Sequence, residues 1–235
     1  MKIFCIGFNR TGTISLHRAL EVLGFRSLHW GGPETRRQIE RAMAEDRPLV
    51  DDFPEYDAFS DIWVLSDNFD VLDRQYPESR FILTTRGLES WLDSRRHHVE
   101  KNIVHKKQGR YSGTFLTVDI NAWTSQYHAH HSRVQKHFER RPDDLLVMNI
   151  PAGDGYDVLC PFLGLPARDE QFPWNHRGAT SASPTVTATK PELQPRTVSS
   201  GGSRRTFLRS SATRITRALS PADETARSPR AAGSH

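Results

Sequence analysis

Gly7-Phe8-Asn9-Arg10-Thr11-Gly12-Thr13-Ile14-Ser15 stands between two apolar patterns of different period. Before it, Lys2-Ile3-Phe4-Cys5-Ile6 reads as a short buried strand. After it, Leu16, Ala19, Leu20 and Leu23 recur at helical spacing, and Gly24 supplies a C-terminal stop. A strand, a glycine-bounded loop and a helix in that order make a cradle for an anion. The N–H groups of the loop and of the first helical turn converge on one point, and the helix dipole favours negative charge there.

The loop has the glycine spacing of a Walker A motif but not its chemistry. In that motif the second glycine is followed by Lys and then Ser or Thr. Here Thr13 takes the lysine position and Ile14 the position of the magnesium-binding hydroxyl, while a cation, Arg10, sits inside the loop. The pattern disfavours a Mg-ATP enzyme and favours a phosphate-type ligand that needs no metal. A tight turn with no ligand is the plainer alternative, but a turn needs neither the cation nor the two flanking hydroxyls.

Working outward, strand and helix patterns alternate. Strands are expected at 25–30, 57–62, 80–85 and 145–150, and helices at 33–46, 68–76, 88–99 and 121–141. The last carries Trp123, Tyr127, Val134 and Phe138 on one side. Such alternation predicts an α/β fold of three layers, a mostly parallel sheet with helices on both faces and a P-loop-like first turn. Ligands of such sheets bind at the C-terminal strand ends. Gly7–Thr13, Asp61 and Arg86 are all expected there.

Three motifs resemble the sulfotransferases that use 3′-phosphoadenosine 5′-phosphosulfate (PAPS). Arg10-Thr11-Gly12-Thr13 is similar to their Lys-Ser-Gly-Thr loop, with a planar guanidinium in place of a point charge. Arg86 at a strand end, with Ser94 eight residues on, resembles their pair for the 3′-phosphate. The stretch from Gly153 through Phe162-Leu163-Gly164-Leu165-Pro166 is similar to their late helix and its exit. The resemblance covers roughly residues 1–175. It implies a cytoplasmic PAPS-dependent sulfotransferase that acts on an acceptor hydroxyl or amine, with no metal required. Asn9, Arg10, Thr11, Gly12, Thr13, Ser15, Arg86 and Ser94 would bind the nucleotide, and Arg10 would serve the transfer. Apart from the resemblance, Arg86 and Ser94 read as a surface ion pair and an exposed helix serine.

The resemblance also implies a base on the strand before the 3′-phosphate arginine. Asp61 is the first candidate and Asp57 the second, although acids at strand ends also cap helices. His128, His130 and His131, with His97 and His98, lack the cysteine or carboxylate company of a metal site. They read as helix polar residues, with His130 or His131 a pocket candidate by resemblance. Gly87 and Trp63 depart from the family pattern. Either could reshape the acceptor pocket or mark a protein that binds nucleotide without turnover. The 101–117 region is the expected variable wall of the acceptor site.

Composition sets the outer limits. Of 32 basic and 28 acidic residues, ten basic and three acidic fall in 176–235, so the positive balance belongs to that segment. A specific nucleic-acid partner is therefore not indicated for the α/β part. Residues 176–235 are rich in Ser, Thr, Pro, Ala and Arg and are expected to be a disordered tail. Within it, Arg204, Arg205, Arg209, Arg214 and Arg217 alternate with apolar residues, a pattern able to contact an anionic surface. Cys5 and Cys160 read as buried free thiols. No apolar run has transmembrane length, and the N-terminus reads as part of the fold rather than as a leader or anchor, so the cytoplasm is the expected compartment. The expected acceptor is a small molecule or a glycan. A P-loop phosphotransferase and a non-catalytic nucleotide-binding protein are the rival functions.

Overall fold

Successive residues of a strand point to opposite faces, and the first strand divides its side chains accordingly. In the computed structural model, which describes residues 1–174, β1 is Ile3–Cys5. The elements that follow are α1 (Thr13–Val22), β2 (Ser27–His29), α2 (Gly32–Ala44), β3 (Ala58–Ser60) and α3 (Trp63–Asp67). Then come α4 (Phe69–Gln75), β4 (Arg80–Thr84), α5 (Leu88–Lys107), α6 (Ile120–Phe138), β5 (Leu145–Met148) and α7 (Tyr156–Phe162). Short 3₁₀ turns flank β5 at Pro142–Asp144 and Ile150–Ala152.

Among the described residues, five strands form one sheet in the order β2-β3-β1-β4-β5, and every pairing is parallel. Phe4, Ile6, Phe59, Phe81 and Leu83 pack on one face against Ile39 of α2, Phe69 and Leu72 of α4, and Val134 and Phe138 of α6. Ile3, Cys5, Ala58, Ile82 and Met148 pack on the other against Leu16, Ala19 and Leu20 of α1 and Leu159 and Cys160 of α7. This is the expected three-layer α/β architecture. A third cluster, Phe8, Trp91, Leu92, Val99 and Trp123, fills the space under α5 and α6 beside the first loop.

Two elements differ from expectation. Helix α3 has only five residues, too few for a 3.6-residue pattern to show, although Leu65 and Ser66 are buried. Helix α5 runs to Lys107 instead of stopping near Val99, so the expected variable wall is helical as far as residue 107. Its last turns carry no apolar stripe. They are held by buried Asn102, whose Nδ2 donates to the Phe115 carbonyl at 3.1 Å, and by His105, Lys106 and Lys107, which suit a helix C-terminus. The Arg95 guanidinium lies 4.7–5.0 Å from the rings of Trp91, Phe115 and Trp123, which ties the following loop to both helices.

Cys5 and Cys160 are both buried and free. Burial pushes the Cys5 thiol up to about 11, so it stays protonated. No helix among the described residues is long and apolar enough to cross a membrane. The expectations for 176–235 lie outside the described residues.

Candidate active site

Strand order fixes where a ligand can enter. From central β1 the chain leaves through α1 on one face. From neighbouring β4 it leaves through α5 to α6, which packs on the other. Connections that part in this way leave a gap at the C-terminal strand ends. A crevice of about 390 Å³ opens there, lined by the β1–α1 loop, Asp61, Arg86, Ser90, His98, the Ile150-Pro151 turn and Trp174. Its size is that of a small-molecule site.

The loop is built by close approach. A Cβ on Gly7 would overlap the hydroxyl and backbone of Thr84 on β4, so only glycine lets the chain pass. Arg10 and Gly12 take left-handed backbone with φ of 71° and 103°. Arginine in that region is costly and is held by its surroundings. Asn9, Arg10, Gly12, Thr13, Ile14 and Ser15 line the crevice. Helix α1 starts at Thr13 with no acidic residue in its first turn, so its N-terminal N–H groups keep their positive field.

Thr11 behaves differently from the expectation for its hydroxyl. It is fully buried and absent from the crevice wall; its Oγ1 donates to the Phe8 carbonyl at 2.5 Å and contacts Thr84 Oγ1 at 2.7 Å. A hydroxyl has one proton, and this one is spent closing the loop on itself. Any ligand contact from Thr11 is left to its backbone.

The α5 side re-partners the residues expected for the 3′-phosphate. Arg86 lines the crevice, and its Nε donates to Ser90 Oγ at 2.7 Å; its Nη1 lies 3.4 Å from the Arg10 carbonyl. Ser94 is buried and accepts from Arg10 Nε at 3.2 Å. The cations of the two expected phosphate sites are thus adjacent, and Ser90, not Ser94, is the serine beside Arg86. Ser90 and His98 also line the crevice, beyond the residues that the motifs single out. Their signal was available in the sequence, because 90, 94 and 98 repeat every four residues and share one helix face.

Arg86 is held from behind. Tyr127 donates its hydroxyl to the Arg86 carbonyl at 2.7 Å and lies 3.0 Å from Thr85 Oγ1, which also meets His131 Nε2 at 3.0 Å. His130 is buried and donates from Nε2 to the Ile6 carbonyl at 2.7 Å. Neither histidine is part of the crevice wall. Among the described residues, no group of three His, Cys, Asp or Glu is placed to hold a metal ion.

The two base candidates separate cleanly. Asp57 precedes β3 and therefore lies at the N-terminal strand ends, opposite the crevice. It accepts from Arg26 Nε and Nη2 at 3.0 Å each, and these bonds hold its carboxyl below the usual range. Asp61 follows β3, takes a left-handed φ of 57° and lines the crevice. Burial pushes its carboxyl up to about 7, against the opposing pull of Arg10. His29, at the end of β2, lies 3.7 Å from Asp61 Oδ2 and 3.4 Å from Thr13 Oγ1.

Comparison with known sequences bears on the whole arrangement. No match was found among curated proteins. A sequence model of the sulfotransferase domain matches two overlapping segments, residues 2–123 and 107–181, which take in the loop, Asp61, the α5 face and the late helix. The chain belongs to the sulfotransferase domain family.

Proposed function

We propose that the chain is a PAPS-dependent sulfotransferase of the cytoplasm, acting on a hydroxyl or amine of a small molecule or glycan. The observation that carries this reading is one crevice lined together by the β1–α1 loop with Arg10, by a second cation, Arg86, and by the Asp61 carboxyl, which burial pushes up to about 7. PAPS would supply the activated sulfuryl group and leave as adenosine 3′,5′-bisphosphate.

Asp61 accepts the proton of the acceptor as its oxygen or nitrogen bonds to sulfur. A base titrating near 7 combines a useful ionised fraction with a useful affinity for the proton. The bond from sulfur to the phosphate oxygen breaks, and the electron pair stays on that oxygen. Arg10, the Thr13 hydroxyl and the N–H groups of the loop and of α1 stabilise the charge that develops there. Arg86, with Ser90 beside it, receives the 3′-phosphate. Asn9 and Ser15 complete the wall near the 5′ end. The two buried free thiols accord with a reducing compartment.

Thermal unfolding of the full chain tests the reading. Adenosine 3′,5′-bisphosphate without metal is expected to raise stability, by roughly 2.7 kcal/mol at 100 times its Kd. Stabilisation by Mg-ATP alone would overturn the proposal in favour of a phosphotransferase.

A further inference from the structure

Arg86 stands on a short and permissive piece of chain. Thr85 is the last residue that the sheet holds, its N–H donating to the Met148 carbonyl at 2.8 Å. The first bond of α5 runs from the Trp91 N–H to the Gly87 carbonyl, also at 2.8 Å. Arg86 lies between the two, and its own carbonyl is outside the helical ladder. Gly87 beside it has a φ of −50°, open to any residue, and a Cβ there would meet nothing within 4 Å. Neither backbone nor space therefore requires glycine at 87, and what glycine adds is freedom. The direction of Arg86 has to come from elsewhere in the fold.

Helix α6 supplies it. The Arg86 carbonyl only accepts, and the Tyr127 hydroxyl donates to it at 2.7 Å. The Tyr127 carbonyl only accepts as well, so His131, whose Nδ1 lies 2.8 Å from it, carries its proton on that nitrogen. Burial lowers the pKa of the His131 ring, which leaves Nε2 as an acceptor for Thr85 Oγ1 at 3.0 Å. Thr85 thus gives its single proton to His131, and Tyr127 keeps its own for Arg86. The Tyr127 ring is fixed in turn, stacked on His131 at 4.0 Å between centroids and packed against Trp91 at 5.2 Å. Neither Tyr127 nor His131 lines the crevice, so a ligand there does not compete for these bonds.

We propose that Tyr127 is a positioning residue for Arg86: its hydroxyl, with Thr85 and His131 behind it, clamps the Arg86 backbone from α6 and aims the guanidinium into the crevice. The proposal deepens the sulfotransferase reading and rests on it for the 3′-phosphate that Arg86 receives, though not for the clamp itself. Because Arg86 would touch the 3′-phosphate and not the transferred group, the clamp acts on nucleotide affinity and leaves turnover alone.

The test has one arm without ligand and one with it. Tyr127→Phe keeps the packed ring and removes only the hydroxyl. In the full chain labelled with ¹⁵N-arginine, the Arg86 Nε–H, assigned through Arg86→Lys, donates to Ser90. In Tyr127→Phe it should exchange with water about 3- to 10-fold faster, the change that loss of one hydrogen bond brings. Adding Gly87→Ala restricts the same segment and should slow that exchange again. An unchanged rate in Tyr127→Phe, or a faster rate that Gly87→Ala does not slow, would overturn the clamp. By calorimetric titration, Tyr127→Phe should weaken adenosine 3′,5′-bisphosphate by about 3- to 10-fold and adenosine 5′-monophosphate by less than about twofold. The KM for PAPS should rise with the first of these while kcat stays within about twofold. Faster exchange with no difference between the two nucleotides would support the clamp while removing Arg86 from the 3′-phosphate role, so the two readings fail separately.

Discussion

Asp57 and Asp61 bracket the same three-residue strand and meet opposite fates. At the N-terminal end, Asp57 faces water and accepts from Arg26 through both side-chain and backbone N–H groups. Its charge is secured there by Arg26. At the C-terminal end, Asp61 is enclosed between the β1–α1 loop and β2, and burial outweighs the pull of Arg10. The difference comes from the ends of the sheet. In a parallel sheet the loops that build a ligand crevice gather at the C-terminal strand ends, while the N-terminal ends are free to pair their charges in solvent.

The strongest way to break this contrast is turnover. Asp61→Asn should lower kcat by about 10²–10⁴ if Asp61 moves the acceptor proton. Asp57→Asn should leave kcat within a factor of about two to three, because an exposed pair contributes at most about 1 kcal/mol. The check is steady-state sulfation of an accepted hydroxyl compound; similar losses in both variants would erase the distinction.

The next largest effect is on stability against pH. Asp61 has a folded pKa near 7, above its unfolded value of about 3.9. Below both values the carboxyl is protonated in either state and costs nothing. As pH rises from about 4 to 7, only the unfolded chain ionises, and stability falls by at most about 4 kcal/mol. Thermal unfolding of Asp61→Asn from pH 4 to 8 should show that decline removed, with the variant the more stable protein at pH 8.

A third prediction concerns the neighbouring cation. Arg86→Ala should weaken adenosine 3′,5′-bisphosphate by about 1.5–3 kcal/mol and a nucleotide without a 3′-phosphate much less, as read by calorimetric titration. Equal losses would assign Arg86 to the architecture of the crevice alone. The smallest effect belongs to Asp57. Its depressed pKa means that the Arg26 bond contributes stability above the unfolded value near 3.9 and loses it as pH falls through the folded value. Asp57→Asn should cost no more than about 1 kcal/mol at pH 7 and progressively less as pH falls below the unfolded value, so its slope against pH runs opposite to that of Asp61.

Much of this was legible in the chain itself. The period change across Gly7–Ser15, the spacing of Gly7 and Gly12, and the strand–helix alternation are local patterns, and local geometry follows from them. They mark the parallel α/β sheet, the tight loop between β1 and α1 and the strand-end positions of Asp61 and Arg86. Tertiary structure alone decided the partners. Thr11 turns its hydroxyl inward because Phe8 and Thr84 meet it there, and Arg10 reaches Ser94 while Arg86 takes Ser90. His29 comes to Asp61 because β2 pairs with β3, a contact between residues 32 apart that no spacing rule encodes. The raised carboxyl is of the same kind. Its cause is burial, and burial depends on which segments fold over a residue, whereas the sequence beside Asp61 records only that an acid ends a strand.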